Sequence, residues 1–221
     1  MEKIAGKIRS MNLVPYLVIF YMVGITGLKL NVTHDLFRAL VPFNLLLNLA
    51  LLLIYHGPLN KSFAWKALAI ILAGILVEML GVNTGHVFGE YSYGRTLGLK
   101  VLGTPLIIGV NWLMLVYAGL VIASRLTTDS YHRMIITAVL MVAYDFVLEP
   151  AAISLDMWNW GGPVPLQNYL AWLVIAFVMA FFAEKSGLVN RDNKIASPLF
   201  FVQMLFFIIL DVWIVISELW V

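Results

Sequence analysis

Seven stretches of this chain, at roughly 12–28, 36–55, 63–81, 105–124, 132–153, 167–183 and 198–219, are long, strongly apolar and sparing in charge. Each is about 17–22 residues, the helical length that crosses some 30 Å of hydrocarbon. Inside a bilayer every backbone N–H and C=O must find its partner within the protein, which leaves helices and closed barrels as the spanning structures. Runs of this length predict helices. The expectation is an all-α polytopic bundle of about seven transmembrane helices, a multi-pass protein of the cell (inner) membrane. The first run is the least regular, being short and holding Pro15.

Composition closes off the soluble alternative. Residues of the AVILMFWYC set make up 62% of the 221 positions and charged residues 12%, against roughly 45–50% and a quarter in soluble domains. The basic segment Met1–Ser10 is followed by no small-residue cleavage site, so the first run is expected to be retained. There is no cysteine, hence no thiolate chemistry and no disulfide. A net charge of +2 is too small to suggest a nucleic-acid partner.

Basic residues set an orientation. With the N-terminus inside, the cytoplasmic ends and loops hold Lys3, Lys7, Arg9, Lys61, Lys66, Arg125, Arg133, Lys185, Arg191 and Lys194, and the opposite side holds Lys29, Arg38, Arg95 and Lys100. Ten against four predicts N-in, C-out. The two longest outer connections, 82–104 and 154–166, then share one face.

Four acids fall within spans: Glu78, Asp145, Glu149 and Asp211. Charge in a bilayer is costly, so such groups face a cavity or a partner and mark function. Glu78, Asp145 and Asp211 each stand thirteen residues beyond an inner-side marker, Trp65, His132 and Pro198. At 1.5 Å per residue they share a depth of roughly 20 Å from the inner surface. Glu149 lies one turn further out on the face of Asp145, and Pro150 is expected to kink or end its helix. The plainer reading ties each acid to a nearby Ser, Tyr or Trp donor or to Arg95. Asp211 fits that reading best, as a helix–helix hydrogen bond.

Two segments repeat one layout. Glu78 is followed after thirteen residues by Tyr91-Ser92-Tyr93-Gly94, and Asp145 after thirteen by Trp158-Asn159-Trp160-Gly161. Pro105-Leu106 then precedes Trp112, and Pro165-Leu166 precedes Trp172, at equal spacing. Both units start on the same side, so they are expected to be parallel repeats about an axis along the membrane normal, with a site between them.

A carboxyl buried in apolar surroundings resists ionisation and can serve as a general acid. Aromatic faces, here Tyr91, Tyr93, Trp112, Trp158, Trp160 and Trp172, attract cations, although an interfacial aromatic belt would explain them too. Together these groups suit protonation of an alkene and shelter of a tertiary carbocation, with a second carboxylate stabilising the cation or activating water. The four histidines lie near helix ends or in loops, in no pattern for haem. Glu78, Asn83, His86 and Glu90 match no strong metal spacing. No span from the fourth onward carries a mid-helix lysine, which excludes a retinal Schiff base. No cofactor is called for.

The stretch from Glu78 through Gly85, Gly89 and Tyr91-Ser92-Tyr93, then Gly103-Thr104-Pro105-Leu106 and Asn111-Trp112, resembles the membrane-integral carotenoid hydratase family, of the carotenoid 1′-hydratase and bisanhydrobacterioruberin hydratase type. So does Tyr144-Asp145 through Glu149-Pro150, followed by Trp158-Asn159-Trp160 and Val164-Pro165-Leu166-Gln167-Asn168 to Trp172. The resemblance covers about 78–172 within one transmembrane carotenoid-biosynthesis domain, 1–221. It implies addition of water across the terminal C1–C2 double bond of an acyclic carotenoid, without a redox cofactor. Substrate, water and the lipid bilayer are the implied partners. Glu78, Asp145 and Glu149 become the candidate catalytic acids, and Tyr91, Tyr93, Trp112, Trp158, Trp160, Asn168 and Trp172 the candidate substrate contacts. Which acid donates the proton stays open. Small membrane-bound lycopene cyclases share the initial protonation, but the clustered glutamates after a proline associated with them are not evident. A cyclase or isomerase, and a non-enzymatic lipid-binding or transport protein, are the alternatives.

Overall fold

The structure, a computed structural model, describes residues 2–219 and is an all-α membrane helix bundle. A short α1 (Glu2–Ser10) is followed by α2 (Val14–Lys29), α3 (His34–Ala39), α4 (Val41–His56), α5 (Lys61–Thr84), α6 (Ile107–Leu126), α7 (Ser130–Ser154), α8 (Leu166–Ser186) and α9 (Ala196–Leu219). Among the described residues, α5 to α9 are long and apolar enough to cross a membrane, while α2 and α4 are apolar but only 16 residues each. At 1.5 Å per residue those two reach about 24 Å.

The second expected span, 36–55, is therefore corrected. Its first residues belong to α3, and Pro42 sits in the first turn of a new helix, α4. Proline has no N–H to continue the preceding helix and is preorganised to begin the next. Of the two outcomes expected at Pro150, a kink or an end, the end does not occur. Helix α7 runs through it to Ser154, with Pro150 inside its last turns. One lost backbone bond is tolerable there because Ala151 and Ala152, both fully enclosed, seat the turn against its neighbours.

Helix α6 is the axis of the bundle, buried on all sides from Ile108 to Ala123 and packed by α4, α5, α7, α8 and α9. Small residues let those neighbours close in. A Cβ on Gly119 would meet Thr137 of α7 at 2.7 Å, so only glycine fits that crossing. The outer faces carry the opposite composition. Leu68, Leu72, Leu76 and Leu80 form an exposed stripe at i, i+4 spacing on α5, a surface that water would not tolerate but acyl chains do. Starts of the two acid-bearing helices are capped alike: Asn60 accepts from the N–H of Phe63, and Asp129 from that of His132.

The connections expected to be loops contain strand. β1 (Tyr91–Tyr93) and β4 (Trp158–Trp160) pair antiparallel, Tyr91 opposite Trp160, Ser92 opposite Asn159 and Tyr93 opposite Trp158. A smaller hairpin joins β2 (Lys100–Val101) to β3 (Thr104–Pro105).

Candidate active site

Side chains alternate along a strand, so the aromatic-x-aromatic motif places both rings on one face. In β1 and β4 that face is turned inward, while Ser92 and Asn159 are exposed. The ribbon roofs the ends of α5 and α7 with four aromatic rings. Cross-strand partners touch, at 5.1 Å between the centroids of Tyr91 and Trp160 and 6.2 Å for Tyr93 and Trp158.

Beneath the roof the acids are buried, and each is bonded differently. Glu78 accepts three hydrogen bonds, from the Tyr91 hydroxyl (2.6 Å), the Tyr93 hydroxyl (2.7 Å) and the Trp112 indole N–H (3.0 Å). Burial, and next the adjacent Glu78 carboxylate, push both phenols well above their ordinary range, so both keep their protons and act as donors. Glu149 accepts two indole N–H bonds on a single oxygen, from Trp158 (2.9 Å) and Trp160 (3.0 Å). Asp145 accepts one, from the Asn168 amide (2.7 Å). Among the described residues none of the three carboxyls forms an ion pair, and they do not cluster tightly enough to hold a metal ion.

The expected duplication has a geometric signature. Residues matched at a separation of 67 occupy related places, and the antiparallel ribbon exchanges them: Tyr91, whose counterpart is Trp158, faces Trp160, and Tyr93 faces Trp158. Gly94 donates to the Met157 carbonyl at 2.9 Å, and its counterpart Gly161 donates to Glu90, the counterpart of Met157, at 3.0 Å. Gly89 and Asp156, again counterparts, both take positive φ, 112° and 54°. Trp112 and Trp172, matched through the following helices, stack face to face at 4.2 Å. Contacts between equivalent positions are what a local two-fold axis produces.

Nine of the ten candidate residues, all but Trp112, line one narrow cavity of about 30 Å³, room for a water molecule. Trp112 borders it through its bond to Glu78. Asp211 and Arg95 do not line it, and among the described residues Arg95 forms no ion pair with these acids. Phe88, Ile108, Asn111 and Leu148 also line the cavity without being picked out as site residues. For Asn111, a mid-span amide beside Trp112, the signal was available; the other three are indistinguishable from ordinary core by residue type.

Comparisons with known proteins converge on one group. The sequence model of the family described as carotenoid biosynthesis protein matches residues 40–221. A bisanhydrobacterioruberin hydratase from Haloarcula japonica is 31% identical over 153 residues, covering 61% of this chain and 50% of the relative. The chain thus spans about half the length of that curated relative. No solved structure matches.

Proposed function

The chain belongs to the carotenoid biosynthesis protein family, and from that premise we propose that it is a hydratase, adding water across the terminal C1–C2 double bond of an acyclic carotenoid. The observation that carries the reading is the unequal bonding of three carboxyls in one aromatic-walled cavity lined by no basic side chain. The name of the Haloarcula japonica relative supports the same reaction class.

Hydrogen bonds donated to a carboxylate favour its ionised form. Glu78 receives three, Glu149 two and Asp145 one. Three neighbouring carboxyls without a cation cannot all carry charge cheaply, so the proton resides on the group least supported as an anion. Asp145 is that group, and it is the general acid in this reading. Its proton passes to C2 as the π pair forms the new C–H bond, leaving a tertiary cation at C1. Glu78, fixed as an anion by two phenols and an indole, stabilises that cation together with the faces of Trp158, Trp160 and Trp172. Glu149, one turn nearer the ribbon, receives a proton from the attacking water as its oxygen bonds to C1. The proton returns to Asp145 across one helical turn, and the net change is addition of one water.

The charge distribution supports an orientation with the ribbon at the outer face, where water reaches Glu149 while the polyene stays in hydrocarbon. Expression in a lycopene-producing bacterium, with pigments weighed by mass spectrometry, tests the reading. A product heavier by one water is expected. A new product of unchanged mass would assign a cyclase or isomerase instead, and unaltered pigment across a panel of acyclic carotenoids would remove the enzymatic reading.

A further inference from the structure

A cavity of about 30 Å³ has room for a water molecule and holds little of a carotenoid. The remainder of a long polyene must lie elsewhere, along a path that reaches the carboxyls. We propose that this path runs between α2, α4 and α9, open sideways to the lipid, with Tyr21 and Phe206 as its gate. The inference rests on the hydratase reading for its substrate, a long apolar conjugated chain.

Three spaces lie in succession, each sharing wall residues with the next. Between α2, α4 and α9 lies a groove of about 280 Å³, its rim formed by the exposed rings and chains of Phe20, Phe43 and Leu47. It shares Tyr21, Leu28, Val41, Asn44 and Phe206 with an inner cavity of about 70 Å³. That cavity in turn shares Ile108, Asn111, Leu148 and Trp158 with the carboxyl cavity. The groove exists because α2 packs on α9 and α3 and makes no extensive contact with α4. Its lining is overwhelmingly apolar, which suits a polyene and not a proton or ion.

Tyr21 and Phe206 wall both the groove and the inner cavity, ring edge against face at 5.3 Å. The Tyr21 hydroxyl accepts from Asn48 of α4 at 2.6 Å and from Gln203 of α9 at 2.8 Å. One phenolic oxygen therefore links the three helices that frame the path, in surroundings where such bonds are strong. On the next turn of α2, Gly24 leaves the groove open: a Cβ there would already stand 3.4 Å from Phe206, and a larger side chain would fill the space beside the gate. A second apolar groove of about 400 Å³, around Val139, Phe146 and Tyr169, lies on the outer face of α7 and α8 and shares no lining residue with the carboxyl cavity.

The test uses the full chain in lipid nanodiscs and two substrates, lycopene and a ten-carbon acyclic isoprenoid with the same terminal double bond. Gly24→Phe, or Val41→Phe from the opposite wall should the first fail to insert, is expected to lower the ratio of lycopene to short-substrate turnover at least ten-fold, mainly through KM. Val139→Phe, which fills the unconnected groove, is expected to leave that ratio unchanged. Lycopene binding is read separately, by quenching of intrinsic tryptophan fluorescence, and should weaken at least ten-fold in Gly24→Phe. An unchanged ratio and unchanged quenching, with phospholipid alone occupying the groove, would overturn the path; so would loss confined to Val139→Phe. A wild-type protein that binds lycopene through this groove but hydrates neither substrate would overturn the hydratase reading and leave the path standing.

Discussion

The two halves of the central repeat, α5–β1–α6 and α7–β4–α8, share a plan and differ in what their aromatics hold. In the first, Tyr91, Tyr93 and Trp112 converge on the span acid, Glu78, and saturate it. In the second, Trp158 and Trp160 pass over the matching acid, Asp145, and bond Glu149 one turn beyond. At Glu149's counterpart the first half carries Val82. The added carboxyl in the second half draws the indoles away and leaves Asp145 with one amide donor. A repeated layout thereby presents two unlike environments, one suited to holding negative charge and the other to delivering a proton.

The largest expected effect tests that division. Asp145→Asn, correctly inserted, should lower hydration by about 10³-fold, within the span that general acids contribute; product retained at wild-type levels in a pigment assay would remove Asp145 as donor. Next comes the extra carboxyl. Glu149→Val gives the second half the first half's residue and strands two indole N–H groups, each worth about 1–3 kcal/mol when buried unpaired. Thermal unfolding in detergent should show a clear loss for Glu149→Val and a smaller one for Glu149→Gln, which keeps an acceptor. Equal stabilities would mean the indoles find other partners.

Asn168 offers a finer comparison, since its counterpart is Ile108. Asn168→Ile removes the one donor to Asp145 and should reduce turnover about three- to ten-fold through orientation alone, with an unaltered unfolding midpoint arguing that the fold is intact. The smallest effect belongs to the loop. The Arg95 backbone N–H, followed by Asn159, holds the Asp156 carboxyl below the usual carboxylate range. A lowered folded value means the ionised form supports the fold, so its contribution is present above the unfolded value near 4 and is lost as pH falls through the lower one. Unfolding followed from pH 6 to pH 3 should show a slight acid sensitivity that Asp156→Asn lacks.

Much of this was readable beforehand, for definable reasons. Span length and the cost of buried charge pick out Glu78, Asp145 and Glu149, and equal spacing exposes the repeat. Partnership was not readable. Thirteen-residue spacing places Trp158 over Asp145 as naturally as Tyr91 over Glu78, and spacing alone does not show that the indoles bond Glu149 instead. Pro150 reads locally as a kink or an end, and it does not end α7 because propensity does not include the tight seat around Ala151 and Ala152. Pro42 lies inside a long apolar run whose length alone reads as one span, yet it stands where that run divides into α3 and α4. Asp211 matched the depth of the other acids, but depth carries no information about which way a side chain faces.

The ribbon has a consequence for ancestry. Strands that exchange equivalent residues across a two-fold axis can equally be supplied by two separate copies of one half-length chain. The arrangement is the one that two joined copies of a half-length unit would form, and in a joined chain neither half need stay identical to the other. A carboxyl at Glu149 could then arise on one side only, and the resulting asymmetry is what lets a single cavity distinguish giving a proton from taking one.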